Sequence, residues 1–341
     1  MERFLKSRYR VGEKISENPF SVTYKGVNVA TDKPIIVKIY KRGTLNSSLI
    51  SRMKQKVKEF TLITHHGIGK LIDGDYGWQG FYYVREFLEG ETLQSLLERG
   101  QRIGVEKAEA IVEEVSKALE FAHGKEIVHG ALKLSNVFID TQGMIKVTDF
   151  VIEGEITQAM PQKALSILED GKYISPEELA GKPASYSSDI YALGMILLEL
   201  ANSKLLPVET GIAGNMRKLR QPLVVNQEYF THLPRYLQEI IGRALQADPL
   251  LRFSSITEFK ESLHNKNLAT RPIAYQDYID LFENTVTQYG GEEVINEKEA
   301  VKDLGKVKLL WRFEKYRNWI LVVFIGLALL SGLIYAFLFV R

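Results

Sequence analysis

From residue 9 to residue 40 the apolar positions alternate or cluster in β-rich runs, FSVTYKGV and PIIVKIY, broken at Asn18 and Pro19 and again at Asp32, Lys33 and Pro34. A period of two with turn residues between the runs predicts strands. Residues 51–64 take up helical spacing, and 81–87 (FYYVREF) return to a strand pattern. After Gly90 the apolar residues recur at three and four positions. Segments 92–100 and 105–124 therefore predict amphipathic helices, the second stopped by Gly124. Two short strand-like pieces follow at 137–140 and 144–149, with Gln142 and Gly143 as the hairpin turn between them. From Asp189 onward the pattern is helical again. The chain reads as a small β-rich part followed by a larger helical part.

The longest apolar run lies near the end of the chain. Residues 319–340 hold 22 positions without a charge, fifteen of them Leu, Ile, Val or Phe. A helix of that length covers roughly 33 Å, enough for a hydrocarbon core of about 30 Å. Lys306, Lys308, Arg312, Lys315 and Arg317 precede the run, with Glu314 the one acid among them. The positive-inside rule then places that flank and all that precedes it in the cytoplasm. A single-pass, tail-anchored membrane protein is expected, with Trp311, Tyr316 and Trp319 at the interface. Segment 189–201, DIYALGMILLELA, is also apolar, but it is short and holds Asp189 and Glu199. It predicts a buried core helix.

Composition changes this picture little. A 341-residue chain that is 45% apolar and 25% charged is an ordinary globular sequence, and a net charge of +2 gives no reason to expect a nucleic-acid partner. The sequence contains no cysteine, which excludes disulfides, thiolate catalysis and cysteine-ligated zinc within it. The charged N-terminus has no apolar segment of the kind a secretory signal needs. Residues 266–318, polar and mixed in charge with a Gly-Gly pair at 290, read as a juxtamembrane linker.

Candidate chemistry comes from spacing. Lys38 sits in a strand run. His129, Gly130, Ala131, Leu132, Lys133, Leu134, Ser135 and Asn136 form one stretch, and Asp149 with Phe150 follows thirteen positions after Asn136. Glu177, in Ser175, Pro176, Glu177, comes 28 positions later. Asp189 to Gly194 and then Asp248, Pro249 and Arg252 complete the series. In order and spacing this set resembles the Ser/Thr protein-kinase family, and in particular its bacterial membrane-linked members, over roughly residues 9–265.

The resemblance implies an α+β, two-lobed fold: a five-stranded N-lobe with one helix over 1–84, a hinge and helical C-lobe over 85–265, the linker over 266–318 and the transmembrane helix over 319–340. It implies ATP and Mg²⁺ as cofactors. Lys38 would grip the phosphates, Glu86 and Leu88 would lie in the nucleotide hinge, Lys133 would be the catalytic-loop lysine, and Asn136 and Asp149 would hold the metal. Glu177 would pair with Arg252, and Asp189 would support the catalytic loop.

The departures from the family pattern are as informative. Where the resemblance expects the aspartate base, the sequence has Ala131, and a methyl group accepts no proton. Losing a positioned base costs on the order of 10²–10⁴ in rate. Gly130 stands where the family has arginine. The phosphate-covering loop reads Ser16, Asn18 and Ser21 in place of its glycines, with Pro19 removing an amide donor. Val151 replaces the glycine after Asp149 and Phe150. Arg85 falls at the position guarding the adenine pocket. The helix position that should carry a glutamate partner for Lys38 falls near Lys56, with Glu59 one turn away as a substitute.

Three functions stay open on sequence grounds. The first is a pseudokinase acting as a cytoplasmic regulatory or scaffolding module that recruits cytoplasmic or membrane partners. The second is a divergent, weakly active ATP-dependent Ser/Thr kinase, for which Lys38, Lys133, Asn136 and Asp149 argue. The third is a structural subunit of a membrane assembly such as a secretion machine. Ala328, Gly332 and Ala336 recur every four residues within the span and would let two helices pack closely as a homodimer. Arg52, Lys54, Lys56 and Lys58 read as a solvated basic face, or as a docking surface for an acidic partner or anionic lipid. His65 and His66 read as structural residues of a turn.

Overall fold

Alternation decides the first third of the chain. The computed structural model describes residues 3–150, 152–159, 171–206 and 229–267. In it β1 (Arg3–Leu5), β2 (Tyr9–Glu17), β3 (Ser21–Asn28), β4 (Lys33–Lys41), β5 (Leu71–Gly77) and β6 (Gly80–Glu86) form one antiparallel sheet in the order β1-β2-β3-β4-β6-β5. The sheet has six strands where five were expected. The extra strand arises because Leu5 finds an apolar site opposite Tyr9, which a short, charge-flanked segment does not announce. The two edges meet: Lys6, just past β1, reaches Asp75 of β5 at 2.9 Å, and the Tyr9 hydroxyl donates to Asp73 at 3.1 Å.

The period of two sorts the side chains between the sheet's faces. Ile35, Val37 and Ile39 of β4 join Tyr82 and Val84 of β6, with Leu5 and Tyr9, in one apolar cluster. The alternate positions Lys38, Tyr40, Tyr83 and Arg85 belong to the other face. Register pairs Lys38 with Tyr83 and Ile36 with Arg85, so these polar groups are placed together by the pleat alone.

Helix α1 (Ser47–Phe60) starts four residues earlier than its apolar spacing suggested. Asn46 caps it, its side chain accepting the Leu49 amide at 2.8 Å. Leu49, Met53, Val57 and Phe60 form its buried stripe. Its basic face is largely paired: Arg52 with Glu155 at 3.2 Å, Lys54 with Asp75 at 2.6 Å and Lys56 with Glu59 at 3.9 Å.

The rest is helical around a second, small sheet. β7 (Gly90–Thr92), β8 (Val137–Asp140) and β9 (Ile145–Val147) form that sheet, with Gly143 at φ +82° turning β8 into β9. Helices α2 (Leu93–Glu98), α3 (Val105–His123), α4 (Ile152–Ala159), α5 (Pro176–Leu179), α6 (Tyr186–Asn202), α7 (Arg235–Ala244) and α8 (Ile256–His264) complete the described fold. α6 is the helix read as a core segment, and it is buried on nearly every side. Its two acids are satisfied. Asp189 faces the loop at 129–130, and Glu199 takes Lys172 at 2.6 Å, the Tyr173 hydroxyl and the Leu206 amide at 2.8 Å. Among the described residues no helix is long and apolar enough to cross a membrane. Residues 268–341, with the expected span at 319–340 and nearly all of the linker, lie outside the described residues.

Candidate functional site

The cleft is built upward from Asp189. Its carboxylate accepts the amides of His129 at 2.8 Å and Gly130 at 2.9 Å, and His123 Nε2 lies 2.8 Å away. These bonds fix the loop carrying Ala131, Lys133 and Asn136. His129 is fully buried; burial pulls its pKa down, and Nε2 faces the Thr148 carbonyl at 3.1 Å. Phe150 packs between the rings of His129 and Phe60, at 4.3 and 5.3 Å. Core contacts of this kind hold Asp149 in the left-handed region at φ +62°, a conformation that an aspartate tolerates better than most side chains.

Lys38 is engaged by an internal acid. Glu153, in the first turn of α4, accepts its ammonium and also lies 3.6 Å from Lys133. Burial works against the charges here, and mutual attraction outweighs it: Lys38 is held above the usual lysine range by Glu153, and Glu153 well below the usual carboxylate range by Lys133 and Lys38. Glu59, offered by the sequence as the substitute partner, is exposed and pairs with Gln55 and Lys56. The sequence leaves open whether Glu59 takes this place; the acid that meets Lys38 comes from α4 instead. The signal was present in the sequence, since Ile152 and Ile156 at helical spacing bracket Glu153, but no family position pointed to it.

Asp149 is also taken. The Tyr83 hydroxyl donates to its Oδ1 at 2.7 Å, and Arg85 Nε stands 3.2 Å from the same oxygen. Burial and then the Asp149 charge keep the Tyr83 hydroxyl well above its usual pKa, so it stays a donor. The Arg85 guanidinium lies 5.3 Å over the Phe138 ring, and its Nη1 donates to the Glu86 carbonyl at 3.3 Å. Asn136 donates to the Ala131 carbonyl at 3.0 Å. At the cleft edge Glu86 accepts Lys146 at 3.0 Å and the Lys70 amide at 2.9 Å, and Leu88 is buried.

The covering turn is stapled shut by its own side chain. Asn18 Oδ1 accepts the amides of Phe20 at 2.9 Å and Ser21 at 2.7 Å, and the Ser21 hydroxyl at 3.2 Å. Amides that would face a phosphate in a glycine-rich turn are already bonded. Lys38, Lys133, Asn136 and Asp149 do converge, as the sequence placed them. Each, however, is bonded within the chain.

That arrangement decides how the implied cofactors fit. Asp149 is the carboxylate at the expected metal position, and a guanidinium neutralises it. A hard dication needs uncompensated oxygen ligands, so Mg²⁺ does not fit these residues as they stand. A triphosphate meets Lys38 and Lys133 only by displacing Glu153.

Helix α4 closes the cleft by backbone contact as well. Gly154 packs on Gly130, where a Cβ on either glycine would come within 3.1 Å of the other's Cα. Further down, a small recess is lined by Ala131, Lys133, Tyr173, Glu178 and Asp189.

A sequence model of the protein kinase domain matches residues 9–266. The serine/threonine-protein kinase PrkC of Bacillus subtilis is 26% identical over 261 residues, covering 76% of this chain and 40% of that protein. PknA of Mycobacterium tuberculosis, also a serine/threonine-protein kinase, is 26% identical over 275 residues, covering 79% of this chain and 63% of that protein. A probable serine/threonine-protein kinase of Clostridium acetobutylicum is 26% identical over 263 residues, with 76% of this chain and 40% of that protein covered. The aligned region thus spans from about two fifths to just under two thirds of these relatives' length. Among solved structures, Rad53 1–466 in complex with AMP-PNP superposes with a TM-score of 0.61 at 19% identity, covering 75% of this chain and 64% of that one, a likeness of fold. With its motif series in place and the kinase model matching over most of its length, the chain belongs to the protein kinase domain family.

Proposed function

We propose that this chain is a pseudokinase, a cytoplasmic kinase-fold module that regulates or recruits protein partners at a membrane. The observation that carries the reading is the occupation of Lys38 by Glu153 in a cleft whose base position is Ala131. Phosphoryl transfer rests on positioning and charge neutralisation. Here the phosphate-gripping lysine, the metal carboxylate and the covering amides are all engaged internally. The test is phosphotransfer from Mg·ATP by the purified full chain beside a Lys38→Met variant. Equal, background incorporation in both is expected, and Lys38-dependent incorporation overturns the reading.

Residues 319–340 anchor the module, with the basic flank on the cytoplasmic side. Its partners are cytoplasmic or membrane proteins, a second copy joined through Ala328, Gly332 and Ala336 among them, and not nucleic acid. Retention in the membrane pellet after alkaline extraction is expected, and release to the supernatant overturns the anchor. A second reading, a divergent Ser/Thr kinase that becomes weakly active when α4 leaves the cleft, draws on the convergence of Lys38, Lys133, Asn136 and Asp149. It predicts transfer from a Glu153→Gln variant and none from the parent.

A further inference from the structure

The cleft holds three cations, Lys38, Lys133 and Arg85, against two carboxylates, Glu153 and Asp149. The third cation is built in. Arg85 belongs to the same sheet face as Lys38 and Tyr83, a placement fixed by the β4–β6 register. Its guanidinium is largely buried between Asp149, the Glu86 carbonyl and the Phe138 ring. Asp149 Oδ1 also accepts the Tyr83 hydroxyl. To bind Asp149, a divalent ion would have to push out a buried guanidinium and leave it without its anion, which is strongly unfavourable. Arginine cannot relieve the problem by losing its proton.

Glu153 is placed differently. Among the described residues it is the carboxylate paired with both Lys38 and Lys133, and it sits on an eight-residue helix rather than on the sheet. A polyphosphate offers both lysines what Glu153 offers them, with more charge. We infer that the cleft takes a nucleoside triphosphate as a metal-free anion, with Arg85 as the standing counter-ion of Asp149 and Glu153 as the carboxylate the triphosphate displaces from Lys38 and Lys133. The inference deepens the pseudokinase reading and rests on its account of Glu153. It names the ligand of the same cleft and the form in which the ligand binds. Chelating the phosphates with Mg²⁺ lowers the charge presented to the lysines and brings a dication to a carboxylate that is already neutralised, so the metal works against binding.

The test is isothermal titration calorimetry of the full chain in mild-detergent micelles, with ATP in EDTA and with ATP in excess Mg²⁺. ATP in EDTA is expected to bind at least as tightly as Mg·ATP. Glu153→Gln keeps the shape and removes the competing charge, and is expected to tighten metal-free ATP by about tenfold or more. Arg85→Met frees Asp149 and is expected to make binding Mg²⁺-dependent. The inference is overturned if the parent or the Glu153→Gln protein binds ATP only with Mg²⁺. It is equally overturned if Glu153→Gln melts cooperatively and takes up no ATP in EDTA. Should Arg85→Met fail to fold, the parent and Glu153→Gln titrations decide by themselves. An inert chain that requires Mg²⁺ to bind ATP would sink this inference while leaving the pseudokinase reading intact.

Discussion

Gly130 and Gly154 meet backbone to backbone: a Cβ built on Gly130 would lie 3.0 Å from the Gly154 Cα, and one built on Gly154 would lie 3.2 Å from the His129 carbonyl oxygen. Gly130 also has φ +71°, where an L-residue is strained whatever the space around it. Two glycines at this contact let α4 lie directly on the loop that holds Ala131, and that seating brings Glu153 to Lys38. The loss of the family's arginine at position 130 is thereby tied to the closing of the cleft. Gly130→Ala should destabilise the fold by about 1–3 kcal/mol. Gly130→Arg should expel α4. Hydrogen exchange across 152–159 reads this out, and unchanged protection in the arginine variant would break the link between the two glycines.

Restoring the missing base should not restore catalysis. In Ala131→Asp a carboxylate returns to the loop, but Lys38 remains on Glu153 and Asp149 remains on Arg85. A general base contributes on the order of 10²–10⁴ only when the phosphoryl group is positioned for it. Phosphate incorporation by Ala131→Asp is therefore expected to stay at the level of the parent chain. Clear transfer from this single variant would mean that the internal pairs open freely in solution.

What could be read from sequence follows from what leaves a periodic or spaced trace. The strands around Lys38, the amphipathic α3, the buried α6 and the Glu177–Arg252 brace each show as a short period or a family spacing. Around Glu153 the spacing of Ile152 and Ile156 indicates only a helical turn, and nothing about a glutamate just past the Asp149 motif says which cation it will meet. Arg85 was seen as a large side chain beside the adenine pocket. Its partner emerged only from the β4–β6 register and the left-handed turn at Asp149. The strand at Arg3–Leu5 leaves too short a trace to detect, because three residues ending in the buried Leu5 give no alternation. Pairing between segments distant in the chain depends on tertiary geometry, and in this protein the internal closure of the cleft is made of such pairs.

The helical part has a charged brace whose removal should be costly. Arg252 Nη1 and Nη2 fork onto the two oxygens of Glu177 at 2.8 and 2.7 Å, and Nε donates to the Gln246 carbonyl at 2.8 Å. Both side chains are almost fully buried. Removing one member leaves an unpaired interior charge, so Arg252→Ala should cost about 3–5 kcal/mol. Arg252→Lys should lie between parent and alanine because one ammonium cannot reproduce the fork. Adding Glu177→Gln to Arg252→Ala should recover part of the loss. Denaturant unfolding measures each, and a cost below about 1 kcal/mol for Arg252→Ala would assign the brace to geometry rather than stability.

Glu178 should give the fold a pH dependence of its own. It lines the cleft below Ala131, and burial pushes its pKa up to about 7 against the donated bonds from the Ser175 amide and hydroxyl at 3.0 and 2.7 Å. The nearby charges of Asp189 and Glu177 push the same way as burial. A carboxyl whose folded pKa exceeds its unfolded value near 4.5 holds its proton more tightly in the native state. Its contribution is therefore complete below pH 4.5 and is lost as the pH rises toward 7. The side-chain amide oxygen of a Glu178→Gln variant would still accept from Ser175, without the charge. The variant should match the parent near pH 4.5, gain on it through pH 5–7 and hold a constant advantage of roughly 1–3 kcal/mol above that. Comparing the two stabilities at each pH removes the titrations they share. A difference that stays flat from pH 4.5 to 8 would show that Glu178 ionises in the folded protein as freely as in the unfolded chain.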